Sequence, residues 1–187
     1  MGKIVVFENI TLDGVMQDPI GAESVDAIDW TDSLSTAASE EWIQRIVDDT
    51  RGVQALLFGR RTYEFFAGRY SGSTNAVAEL VSSIPKYVVS STLTDASWTK
   101  TTVLSGDATT EVAKLKADLD GTIVIWASSR LVRELVEHDL VDELRLVVFP
   151  IVIGRGARLF GDTTDAKRWR LAATDTVGDL AYLTYRR

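Results

Sequence analysis

Three short stretches carry residue types that hold phosphate. Gly59-Arg60-Arg61-Thr62 follows the apolar run 53–58, Ser90-Ser91-Thr92 follows KYVV, and Ala127-Ser128-Ser129-Arg130 follows TIVIW. Arginine presents a planar fork of donors to phosphate oxygens. Serine and threonine add hydroxyls, and glycine lets the backbone come close to a ligand. Each stretch closes a strand, and the first and third also open a helix, whose first turn offers unpaired N–H groups and partial positive charge. Three such places in one chain suit a phosphorylated dinucleotide better than a single phosphate. Taken singly, each has a plainer reading. Arg60 and Arg61 read as a solvated helix start, Ser90-Ser91 as turn chemistry, and Ser128 or Ser129 as an N-cap. The chain has no P-loop and no GxGxxG, and Gly154-Arg155-Gly156 reads as a turn.

Composition bounds the chemistry. The 187 residues suit one domain with a real core. With 27 acidic against 20 basic side chains the net charge is −7, which argues against broad nucleic-acid or anionic-membrane binding. There is no cysteine and a single histidine, His138. Thiol catalysis and thiolate or histidine-rich metal centres are therefore excluded, and no metal site is expected. The start MGKIVVFENITLDG reads straight into a strand without signal-peptide architecture. No apolar run reaches the length of a membrane span. The expectation is a cytoplasmic single-domain protein over 1–187.

The elements that must position these residues follow from periodicity and turn chemistry. Strands are expected at 3–12, 53–58, 86–91, 101–104, 122–126 and 143–149. Helices are expected at 39–49, 62–70, 75–83, 111–119 and 129–137. Residues 13–24, DGVMQDPIGAES, read as a loop. The end, RLAATDTV then Gly178-Asp179 then LAYLTYR, reads as an antiparallel hairpin. Strands alternating with helices imply a mostly parallel sheet covered on both faces, made mixed by the terminal hairpin. Such sheets bind ligands beyond the carboxyl ends of their strands, where all three phosphate-suited stretches fall.

In order along nearly the whole chain, TLDGVMQDP, LLFGRRTYE, KYVVSSTL and LVRELVEHDLVDELRLVVFPIVIGRGARLF resemble the dihydrofolate-reductase-like family that includes the reductase domain of the bifunctional riboflavin-biosynthesis deaminase/reductase. The resemblance implies a three-layer α/β/α fold, often dimeric, that binds NADPH and transfers a hydride to a pteridine-like or ribosylamino-pyrimidine substrate. It implies that Gly59, Arg60, Arg61 and Thr62 form the cofactor-phosphate segment and that Ser90 and Ser91 face the adenosine 2′-phosphate. It further implies that Ala127, Ser128, Ser129 and Arg130 form the pyrophosphate turn. Thr11 to Gly14 match the first-strand signature near nicotinamide and substrate. Family members usually carry glycine where this chain has Ala127, and a methyl there narrows the approach to the pyrophosphate. These 187 residues contain no deaminase segment with zinc ligands, so the expectation is the reductase half at most.

Hydride transfer needs a dry pocket, a held cofactor and usually a proton donor. Asp13, closing the first strand beside the pocket, is the candidate for substrate orientation or proton relay; turn chemistry is its plainer reading. Asn9 offers an amide to a heterocycle, and Trp30, Trp42 and Phe66 offer rings to stack on one. Glu143 opens a strand that could face the site, its plainer reading being a solvated acidic pair, Asp142-Glu143, at a strand entrance, and His138 reads as a helix-end partner. The apolar tail suggests a sheet-mediated homodimer. Two other classes stay open: a non-catalytic nucleotide-binding protein on the same fold, favoured by Ala127, and an interaction scaffold in which FGRRTYE is an ordinary helix start.

Overall fold

The computed structural model describes residues 1–20 and 29–187. Within the expected loop 13–24, residues 21–24 lie outside the described residues. The strands are β1 (Lys3–Thr11), β2 (Ala55–Gly59), β3 (Lys86–Val89), β4 (Thr101–Leu104), β5 (Thr122–Trp126), β6 (Glu143–Phe149), β7 (Arg170–Val177) and β8 (Leu180–Arg186). They form one mixed sheet in the order β4-β3-β2-β5-β1-β6-β8-β7. The first six run parallel, and the closing hairpin adds β8 antiparallel to β6 and β7 antiparallel to β8. Gly178, at φ +53, makes the hairpin turn in the left-handed region that glycine favours.

The sequence dictates two covered faces. Along β1, Val5 and Phe7 pack into one core with Trp42, Tyr63 and Val81. Ile4 and Val6 pack into the other with Val112, Leu115, Leu131 and Leu135. The helices divide accordingly: α1 (Thr36–Thr50), α2 (Arg60–Tyr70) and α3 (Ala76–Ser83) on the first face, α4 (Ala108–Asp118) and α5 (Ser129–Glu137) on the second. Ile4, fully buried, contributes roughly 1.5–3 kcal/mol on the usual scale for such a side chain. This is the mixed three-layer architecture expected from the sequence.

Helix starts depart most from expectation. α1 begins three residues earlier than its acidic first turn suggests, because Ser35 Oγ accepts from Ala38 N at 3.2 Å and sets the cap there. α4 begins at Ala108 because Asp107 accepts from Thr110 N at 2.9 Å. α2 begins at Arg60, so both arginines belong to its first turn.

Glu143 is no solvated strand entrance. It is completely buried and accepts from Lys3 Nζ at 2.6 Å, Arg145 Nε at 2.7 Å and Arg186 Nε at 2.7 Å. Burial pushes its carboxyl up, but the three cationic donors outweigh burial and hold it at about 2. The cluster joins β1, β6 and β8 at the start of β6, the opposite end from the strand ends discussed next. No helix among the described residues is long and apolar enough to cross a membrane.

A candidate dinucleotide crevice at the strand ends

β5 stops at Trp126, paired with Phe7, while β1 continues to Thr11 alongside β6. From Glu8 onward the β5 side of β1 therefore has no neighbouring strand. The chain leaves β1 for one half of the sheet and leaves β5 for the other, so this gap is the topological switch point where such sheets bind ligands.

Two helices begin beside the gap, and neither is capped. α1, α3 and α4 have side-chain caps from Ser35, Asn75 and Asp107, whereas Gly59 before α2 and Ser128 before α5 make no side-chain cap bond. Their first N–H groups stay open, with the positive ends of two helix dipoles side by side. Hydrogen bonds tie the pair together. Gly59 N donates to Ser128 Oγ at 3.0 Å, Ser128 N donates to Thr62 Oγ1 at 3.1 Å, and Ser128 Oγ donates to Trp126 O at 3.1 Å. The turn between β5 and α5 is left-handed at two consecutive residues, Ala127 at φ 48 and Ser128 at φ 60. Thus the conformation expected of glycine is kept in its absence. A Cβ on Gly59 would come no closer than 3.9 Å to Ser128. Packing does not demand glycine there; its absent side chain leaves room beside the turn.

The arginines divide in role. Arg60 Nε donates to Glu64 Oε1 at 2.7 Å and its Nη1 donates to Thr92 Oγ1 at 2.7 Å, joining the start of α2 to the segment after β3. Arg61 and Arg130 are exposed, and among the described residues no hydrogen bond or ion pair engages either guanidinium. Ser90 is buried, and its Oγ accepts from Leu93 N at 3.0 Å and Thr92 N at 3.3 Å, the turn chemistry of its plainer reading. Ser91 and Thr92 are exposed on that turn, and Ser129 is half-buried as the first residue of α5.

The end of β1 is built differently from expectation. Asp13 accepts from Thr11 Oγ1 at 2.6 Å, Gly154 N at 2.9 Å and Ile153 N at 3.2 Å, and pairs with Arg158 at 3.4 Å. The Thr11 hydroxyl, followed by the Gly154 and Ile153 amides, holds its carboxyl at about 2. A carboxylate so engaged holds the 151–158 segment against β1 and has no proton to give at neutral pH. Thr11 is buried, its hydroxyl shared between Asp13 and Val15 N. Trp30 is 1% exposed and packs edge-on against Phe149 at 5.6 Å, a core ring rather than an open stacking face. Asn9 remains available: its Oδ1 is buried without a hydrogen-bond partner.

The sequence reasoning passed over Glu8, which is 5% exposed with Oε1 buried and unpartnered. Its signal was an acid inside the apolar run IVVFENI. A further cavity of about 10 Å³, room for one water, lies between α1 and the sheet, with Asp49 and Arg145 on one wall. It is too small for a substrate.

Comparison places the geometry among known proteins. Two uncharacterised proteins of Bacillus subtilis (strain 168) are similar over most of their length. YwjB is 26% identical, covering 98% of this chain and 97% of its own. YyaP is 26% identical, covering 93% and 88%. A structure from Shewanella sp. PV-4, provisionally assigned to riboflavin biosynthesis, superposes with TM-score 0.73 at 22% identity over 99% of this chain and 98% of that one. Dihydrofolate reductase from Enterococcus faecalis superposes with TM-score 0.62 at 15% identity over 99% and 96%. The model of the RibD C-terminal domain matches residues 2–182, and the chain belongs to that family.

Proposed function

We propose that residues 1–187 act as one domain, an NADPH-dependent reductase that delivers a hydride to a pteridine-like or ribosylamino-pyrimidine small molecule. The observation that carries this reading is the pair of uncapped helix starts, α2 and α5, joined through Gly59, Ser128 and Thr62 at the switch point. Open amides beside unengaged Arg61 and Arg130 fit a pyrophosphate and a further phosphate. The room left at Gly59 and the orphaned Asn9 Oδ1 fit a ligand with N–H groups. The Enterococcus dihydrofolate reductase is itself complexed with NADP(H). Bound here, the cofactor supplies the hydride. The chain's own residues bind and orient: the first-turn amides of α2 and α5, Ser129, Arg61 and Arg130 hold phosphates, Arg60 braces Thr92 beside them, and Asn9 orients the heterocycle. Asp13 keeps the neighbouring segment in place. The family resemblance and the long exposed edge at β7 support a homodimer.

Titration of the purified protein with NADPH and separately with NADH, followed by quenching of tryptophan fluorescence, tests the reading. Saturable binding with an NADPH preference is expected, and Arg61→Ala should weaken NADPH while leaving NADH nearly unchanged. Equal affinity for both would remove the 2′-phosphate assignment. Binding without turnover of any pterin or ribosylaminopyrimidine would favour a nucleotide-binding protein over a reductase. No binding of either would end the reductase reading.

A further inference from the structure

Glu8 occupies an unusual position for a carboxyl group. It is the first residue of β1 beyond the last pair with β5, at the point where the β5 side of the strand opens into the gap. It sits opposite Leu146 of β6, on the sheet face that α5 covers. Only 5% of it is exposed, and no hydrogen bond reaches Oε1. Burying a polar group without a partner costs free energy that an apolar residue would avoid. The charged groups on the surrounding elements are directed elsewhere. Arg133 of α5 donates to Leu159 O at 3.3 Å and to Arg158 O, and Arg130 and Glu134 are exposed. Glu137, at the far end of α5, accepts from Thr164 N at 3.1 Å through Oε1, while its Oε2 is buried without a partner. Arg145 of β6 is held by Glu143 and Asp49, Asp13 and Arg158 pair with each other, and Asp18 is engaged with other groups. β5 contributes no charge.

We propose that Glu8 answers the charge on the nicotinamide ring, keeping its proton beside the neutral reduced ring and giving it up beside the cationic oxidised ring. The inference rests on the cofactor reading above and gives a task to a buried carboxyl which that reading leaves unused. Burial alone raises its carboxyl well above the usual range, with no neighbouring charge contributing. A cation arriving at the crevice favours the carboxylate and lowers it again. Oxidised and reduced cofactor are thereby distinguished by one proton on Glu8. That proton passes to buffer when the oxidised form binds and is regained when it leaves.

The test is calorimetric titration of wild type and Glu8→Gln with NADP+ and with NADPH, between pH 6 and pH 8 on the scale where such groups titrate, in buffers of different ionisation enthalpy. The 2′-phosphate ionises near pH 6 in both nucleotides, so the difference between them is the readout. NADP+ should bind with greater proton release than NADPH. Its affinity should rise relative to NADPH by up to about tenfold per pH unit while Glu8 titrates. Glu8→Gln, which keeps the shape and removes the charge, should abolish the difference. Glu8→Met should do the same and serves if the glutamine variant fails to fold. Equal proton release for the two nucleotides, or a difference that survives both variants, overturns the role of Glu8 and leaves the reductase reading standing. Failure of both nucleotides to bind wild type overturns both.

Discussion

Ala127 holds a left-handed backbone with a methyl group attached. Such a conformation costs an L-residue roughly 1–2 kcal/mol, and the next residue, Ser128, repeats it. Strain of this kind persists where the surroundings over-determine it. Here the Gly59, Thr62 and Trp126 hydrogen bonds to Ser128 do so. Ala127→Gly is expected to raise stability by about 1 kcal/mol, read as a higher urea midpoint at unchanged slope. An unchanged or lower midpoint would mean that the methyl group packs well enough to offset its backbone. Which residues meet at the crevice was only partly legible. The glycine, arginines and hydroxyls at strand ends were visible as types. That Arg60 is spent on Glu64 and Thr92 while Arg61 is open was not, because both sit in the same turn and only the helix phase separates them.

At the scale of elements, the closing hairpin shows how tightly neighbouring pieces fit. A Cβ on Gly178 would stand 2.9 Å from Ala38 Cβ of α1, at a backbone φ of +53. Both the contact and the conformation oppose a side chain, so Gly178→Ala should destabilise by more than about 1 kcal/mol; thermal unfolding reads it directly, and an unshifted midpoint would show that the turn swings clear of α1. The hairpin and the five helices were legible because periodicity and turn chemistry are local. The start of α1 was misplaced because an acidic first turn and a serine cap compete as signals, and the cap bond decides. The clasp of Asp13 on Gly154 and Ile153 was hidden for a different reason: its partners lie about 140 positions away in the chain.

At the scale of the molecule, charge and edges set the behaviour. Glu143, Asp13 and Asp107 are all held at about 2 in the fold. Because these values lie below the ordinary carboxylate range, their contribution is complete above that range and is lost as pH falls from roughly 5 towards 2. Acid unfolding should therefore steepen in that window. Glu143→Gln should make it shallower while costing about 2–3 kcal/mol at neutral pH, less than a fully buried pair because the three cations are partly solvated. A variant as stable as wild type would show that the cations find water instead.

Seven of the eight residues of β7 are exposed, and an edge of that length invites pairing with another chain. Light scattering is expected to report twice the 20.6 kDa of one chain, and a single-chain mass would remove the proposed homodimer. Between β6 and β7 the chain runs through 161–166, exposed at every residue, the kind of segment that proteases cut first. β8 nevertheless stays registered between β6 and β7. A nick there should split the polypeptide on a denaturing gel yet leave the particle whole in native chromatography, the severed hairpin being held without a covalent link by the ladder of β8 on β6.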